Sequence, residues 1–125
     1  MREEVKIWWE LAVDDIDTAE KNSNIEKYHV AALYAQQATE KALKGLYIQT
    51  FQELKKTHDL VFLANKLNIP DQYKNICKKL DPVYLPTRYP DVSGKLPKML
   101  FDKADALEFI KIAKEVLQWI KTQLS

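Results

Sequence analysis

The sequence predicts an all-α fold of four to five helices packed as a bundle. Three observations predict it. Apolar residues recur at steps of three and four across residues 3–22, 27–51 and 102–124, the period of a helix with one buried face. No stretch alternates polar and apolar side chains as a half-buried strand would. Four of the five prolines fall between Pro82 and Pro97, so the three long segments carry none.

In the first segment, residues 3–22, Val5, Trp8, Leu11, Ala12, Ile16 and Ala19 share one face. Glu3 and Glu4 stand in its first turn, where the helix dipole favours anions. Asn22-Ser23-Asn24 is the turn that ends it. The second segment, residues 27–51, carries Ala31, Ala35, Ala38, Ala42 and Gly45 at steps of four and three. Such a stripe of small residues lets two helix axes come close. Thr57 is placed to cap a short third helix over 58–67, and Asn68-Ile69-Pro70 stops it. A fourth helix is expected over 71–80, with Pro82 suited to begin a further turn. Residues 85–94, with Pro86, Pro90 and Gly94, are expected to form an irregular loop, because proline disfavours helix in the residue before it. Asp102 then caps a last helix over 102–124. Leu107, Ile110, Ala113, Leu117, Ile120 and Leu124 make one apolar stripe on it, beside a second of Phe109, Ile112, Val116 and Trp119. That is more apolar surface than one small core needs, so this helix is expected to be central or to meet another subunit.

At 125 residues the chain has the size of one domain, with 46% apolar and 30% charged residues. The longest uncharged stretch, 28–39, is too short and too polar to span a bilayer, so no membrane role is expected. The start lacks an apolar h-region, so no secretory leader is expected. The one cysteine, Cys77, excludes an internal disulfide and points to a reduced, cytoplasmic setting. His29, His58 and Cys77 show no metal-ligand spacing, and there is no glycine-rich phosphate loop, nucleophile elbow or paired-carboxylate motif. No metal and no cofactor are expected. The net charge of +1 hides an asymmetry, for residues 1–40 hold four basic against nine acidic groups and the remainder fifteen against nine. Two oppositely charged segments that pack together, or pack on a partner chain, explain this better than general nucleic-acid binding.

Several polar residues stand out. Asp15 lies in the apolar stripe of the first helix and needs a partner such as Lys41, Lys44 or Arg88. Lys41 and Lys44 share a face with Gln37 and could hold a phosphate or be solvated. His58 sits at a helix N-terminus, where it caps or contacts an anion; Asp59 beside it suits the first turn. Arg88, one of only two arginines, lies in a proline-stiffened stretch between Tyr84 and Tyr89 with Asp91 nearby, so its fork can reach phosphate or carboxylate and stack on tyrosine. The tryptophans Trp8, Trp9 and Trp119 read as core and interface.

Read in order, Trp9-x-x-Ala12-x-x-Asp15-Ile16-x-x-Ala19, Tyr28-His29-x-Ala31, Gln36-Gln37-Ala38-x-Glu40-Lys41-Ala42-Leu43-Lys44, Thr57-His58-Asp59-Leu60 and Arg88-Tyr89-Pro90-Asp91 resemble the HEPN domain family, over residues 8–120. The resemblance implies an up-and-down helical bundle, frequent homodimers, pairing with a minimal nucleotidyltransferase, and often a toxin–antitoxin context. Many members are metal-independent ribonucleases marked by an arginine followed four to six residues later by a histidine. Here both histidines precede Arg88, and Arg2 has none nearby. Without that proton carrier the expected role is a non-catalytic, homodimeric binding and assembly module that partners a minimal nucleotidyltransferase and binds a nucleotide. The alternative is a ribonuclease toxin with a non-standard site. The candidate ligand-binding residues are Lys41, Lys44, His58, Arg88 and Tyr89; Asp15, Asp59 and Asp91 are candidate structural polar groups.

Overall fold

The computed structural model describes residues 1–125 and contains helices and no strand. Two long helices, α1 (Glu3–Asn24) and α2 (Tyr28–Phe51), run antiparallel as a hairpin. Short helices α3 (Leu60–Leu67) and α4 (Asp71–Leu80) follow. A 3-10 turn at Asp81–Val83 leads into α5 (Tyr84–Arg88) and α6 (Pro90–Ser93). A second 3-10 turn at Pro97–Met99 precedes the long α7 (Lys103–Gln123).

The small-residue stripe of α2 is wholly buried. A Cβ added at Gly45 would stand 3.4 Å from Trp8 Cβ, which shows how closely α1 and α2 approach. Helix α7 lies along both. Its Ala106, Ala113, Val116 and Ile120 join Leu43, Leu60, Leu63 and Leu80 in one apolar cluster of 24 buried residues. The ends of α2 and α7 are stitched where Gln49 Nε2 donates to the Gln123 carbonyl at 2.8 Å.

Local chemistry explains the boundaries. Asp102 caps α7 and completes a capping box with Asp105. Asp59, not Thr57, caps α3, accepting from Phe62 N at 2.9 Å, so α3 begins at Leu60, two residues later than expected. The Thr57 hydroxyl accepts from Asp59 N instead and shapes the approach to the cap. Residues 85–94 differ more. They form two short helices where a loop was expected. Pro86 falls in the first turn of α5, where an amide has no helical acceptor to lose. The Thr87 hydroxyl donates to the Val83 and Tyr84 carbonyls and steadies that turn. Pro90 opens α6, and Tyr89 before it is extended, as its position requires. Gly94 closes α6 at φ +73°, in the left-handed region. On α7 both apolar stripes are mostly buried, Ile110 and Leu117 of the first with Ile112 and Val116 of the second, whereas Leu107 at the start of the first is 52% exposed.

Candidate functional site

Five polar groups are buried, and three of them lie one turn apart on α2. Gln36, Glu40 and Lys44 follow each other at steps of four, so the helix projects them from one face. Glu40 is the hub. It is 3% exposed, and its two oxygens serve different donors. Lys44 Nζ donates to Oε2 at 3.0 Å, and His58 Nδ1–H donates to Oε1 at 2.9 Å. A carboxylate accepts only, so this bond fixes the imidazole tautomer and leaves Nε2 directed elsewhere. Gln36 Oε1 accepts from Gln37 at 2.7 Å, while Gln36 Nε2 is a buried donor without a partner.

The strap between α2 and α3 carries His58 to this hub. Its ring stacks on Tyr84 at the start of α5, centroids 4.4 Å apart and planes 17° off parallel. Arg88, one turn along α5, sets its guanidinium carbon 5.6 Å from the same Tyr84 ring. Tyr84 thus joins an imidazole from the strap and a guanidinium from α5 on one aromatic platform. The strap is held on the other side of His58 too. Leu60 N donates to Asp81 Oδ1 at 2.9 Å, so the turn just before Tyr84 caps α3 across the fold. Burial pushes the Asp81 carboxyl above the ordinary carboxylate range, with that amide bond acting the other way.

Beside His58 a shallow cavity of about 280 Å3 opens between the strap and α1. Trp8, Lys44, Leu54, Lys56, Thr57 and His58 line it. Lys44 Nζ lies 5.5 Å from the Trp8 ring centre, a cation–π contact that helps a nearly buried ammonium. The cavity therefore offers an aromatic wall, an imidazole and the exposed Lys56.

The other singled-out residues are distributed as follows. Lys41 turns to α1 and pairs with Asp15, which is buried. Desolvation is the largest influence on Asp15 and raises its pKa, against the opposing pull of Lys41. Lys41 and Lys44 thus answer different carboxylates. Arg88 makes no ion pair. Tyr89 and Asp91 are exposed on the rim beyond it. His29 lies apart near Lys27 and Lys98, and burial holds its pKa below the ordinary imidazole value. Glu40 is the participant absent from the sequence candidates, and Tyr84 enters there only as a neighbour on which Arg88 can stack. Two signals point to Glu40: its place in the Gln36-Gln37-Ala38-x-Glu40-Lys41 run, and its i,i+4 spacing from Lys44, which reads equally well as a surface pair. No three His, Cys, Asp or Glu side chains converge as a metal site.

The fold and this cluster define a helical bundle that shows a cationic and aromatic surface around a buried glutamate. The chain belongs to the HEPN domain family, which matches residues 5–123. It is similar to TT1696 from Thermus thermophilus, with TM-score 0.92 and 27% identity over 98% of this chain and 100% of that one. It is also similar to ST0689, an archaeal HEPN homologue, with TM-score 0.84 and 32% identity over the full length of both. No curated protein matches its sequence. No helix is long and apolar enough to cross a membrane.

Proposed function

We propose that this protein is a non-catalytic assembly module: a cytoplasmic homodimer that docks a minimal nucleotidyltransferase and contacts a nucleotide near His58 and Arg88. One observation carries the reading. The excursion from α5 to the second 3-10 turn exposes Leu85, Tyr89, Val92, Leu96 and Met99, beside Arg88, Lys95 and Lys98. That much apolar surface within fifteen residues, edged by cations, is the composition of a protein-binding face rather than of a solvated loop. Membership of the family supports the kind of partner. Lys41 and Lys44 are tied to carboxylates and His58 gives only its Nδ1 to Glu40, so the guanidinium of Arg88, the Nε2 edge of the exposed His58 ring and the Tyr89 ring are the groups offered to a nucleotide. Co-expression with a minimal nucleotidyltransferase from the same genome tests the reading. A stable complex is expected, lost on Leu85→Asp with Leu96→Asp. No complex, and no nucleotide bound in calorimetry, would overturn it.

A second reading rests on the Glu40–His58–Tyr84–Arg88 arrangement. A carboxylate-held imidazole with a guanidinium on a shared ring could serve proton transfer and phosphate contact in RNA cleavage. Purified protein that cleaves RNA, and loses this with His58→Ala while remaining folded, would establish it in place of the first.

A further inference from the structure

The seam between α1 and α7 has a charge pattern that the site does not use. The two helices run antiparallel: Lys114 Nζ bonds Glu20 at 3.0 Å, while Trp9 shares a depression with Lys121 near the other end. Along α7 the solvent side of the seam reads Lys103, Leu107, Lys111, Lys114, Gln118, Lys121, at steps of four and three, with the exposed Glu108 and Glu115 on the flank of the stripe away from α1, beside Lys111. Along α1 it reads Glu10, Val13, Asp17, Glu20, Asn24, likewise at helical steps, with Lys6 one turn before Glu10 and Lys21 bonded to Asp17 at 2.8 Å. Between the stripes the floor is apolar, and Val13 and Leu107 are half exposed on its edges. On balance the α7 rim of the groove is therefore cationic and the α1 rim anionic.

We infer that this face is the surface on which two copies of the chain meet, with α1 of each lying on α7 of the other. The inference rests on the homodimer of the proposed function and adds its surface and symmetry. A two-fold axis parallel to the helices, lying in the plane between the copies, exchanges left and right without reversing direction. It sets the acidic stripe of each copy over the lysine stripe of the other, twice, at matching height. Asp17 and Glu20, paired within the chain to Lys21 and Lys114, then share those bonds with Lys111 and Lys114 of the second copy, and Glu10 reaches its Lys121. The other two-fold that brings these faces together, with its axis across the helices, lays α1 on α1 and α7 on α7, like charge on like charge. Electrostatics selects the first. Helices of 22 and 21 residues at about 1.5 Å per residue, side by side about 10 Å apart, present a patch of roughly 600 Å2. That approaches the roughly 800 Å2 per partner of a standard interface before side-chain relief is counted.

The test is a charge swap read by sedimentation equilibrium on the full chain. One variant carries Lys111→Glu and Lys114→Glu, the other Asp17→Lys and Glu20→Lys. All four positions are exposed, and circular dichroism checks the helix content. Each variant alone is expected to dimerise at least about tenfold more weakly than the parent. Mixed in equal amounts they are expected to pair with each other, because both contacts become complementary again. The parent dimer is expected to weaken as salt rises. If both variants dimerise as tightly as the parent, the dimer uses another face and this inference fails while the homodimer stands. If the mixture does not pair, the inference fails as well. A monomeric parent at high micromolar concentration overturns both.

Discussion

The buried Glu40–Lys44 pair permits a sharp prediction about stability. The two charged atoms lie 3.0 Å apart, with 4% and 9% of their side chains exposed. At that separation and an effective dielectric of about 20, attraction is worth about 5 kcal/mol, and the desolvation of two ions returns most of it. Removing one partner keeps the other ion's desolvation and loses the attraction. Glu40→Leu is therefore expected to cost about 3–4 kcal/mol, because Lys44 keeps only its contact with Trp8. Lys44→Met is expected to cost less, about 2 kcal/mol, since Glu40 retains His58. The double variant Glu40→Leu/Lys44→Met leaves no buried charge on this face and should fall within about 1 kcal/mol of the parent. The His58 ring, 55% exposed, can turn to water when its acceptor is gone. The assay is urea denaturation of all four proteins, with the slope checked for constancy. For a domain of this size the Glu40→Leu cost corresponds to a fall in Tm of about 10 °C. If the single costs simply add in the double variant, the two groups do not stabilise one another and the reasoning fails.

Three further outcomes follow from the packing. Gly45→Ala is expected to be neutral or stabilising by up to about 1 kcal/mol, because the new methyl meets Trp8 at ordinary contact distance and helix propensity improves, whereas Gly45→Leu should wedge α1 from α2 and cost more than about 2 kcal/mol; thermal denaturation separates them. Asp15 has a raised pKa in the folded state, so the folded form binds its proton more tightly than the unfolded chain. The stability of the parent relative to Asp15→Asn should therefore fall as pH rises from 3.8 through the raised folded value, then level off; a urea series across pH that showed the opposite slope would contradict this. Burial pushes the Cys77 thiol up to about 12. A thiol reagent at mildly alkaline pH should label it only as fast as the protein opens, and rapid labelling of native protein would show that the α4 face is not closed.

Much of this fold is legible in the sequence because the signals are local. The period of three and four locates α1, α2 and α7 to within two residues, Asn-Ile-Pro bounds α3, and Asp102 announces its own cap. The excursion misleads for an equally local reason. Pro86 and Pro90 read as breakers, yet each falls in the first turn of a short helix, and around Pro86 that turn is steadied by Val83 and Tyr84 accepting from the Thr87 hydroxyl. The site is less legible because its bonds are long in sequence. Arg88 beside Tyr84 can be guessed from one turn of spacing. His58 on Glu40 spans eighteen residues and His58 on Tyr84 twenty-six, and nothing in either neighbourhood marks the partner. Glu40 itself, a carboxylate within a buried alanine stripe, looks like half of a surface pair until the strap closes over it.

The amide bond from Leu60 to Asp81 gives the strap a fate shared with α5. It anchors the backbone two residues after His58 to the residue three before Tyr84. Release of that clasp loosens the strap and the start of α5 together, leaving the bond to Glu40 as the remaining hold on the imidazole. Hydrogen–deuterium exchange should find the amides of Leu60, Tyr84, Leu85, Thr87 and Arg88 opening in one event, slower than the fraying of the last turn of α7 and faster than the exchange of α2. A surface that opens as a unit is offered or withdrawn as a unit.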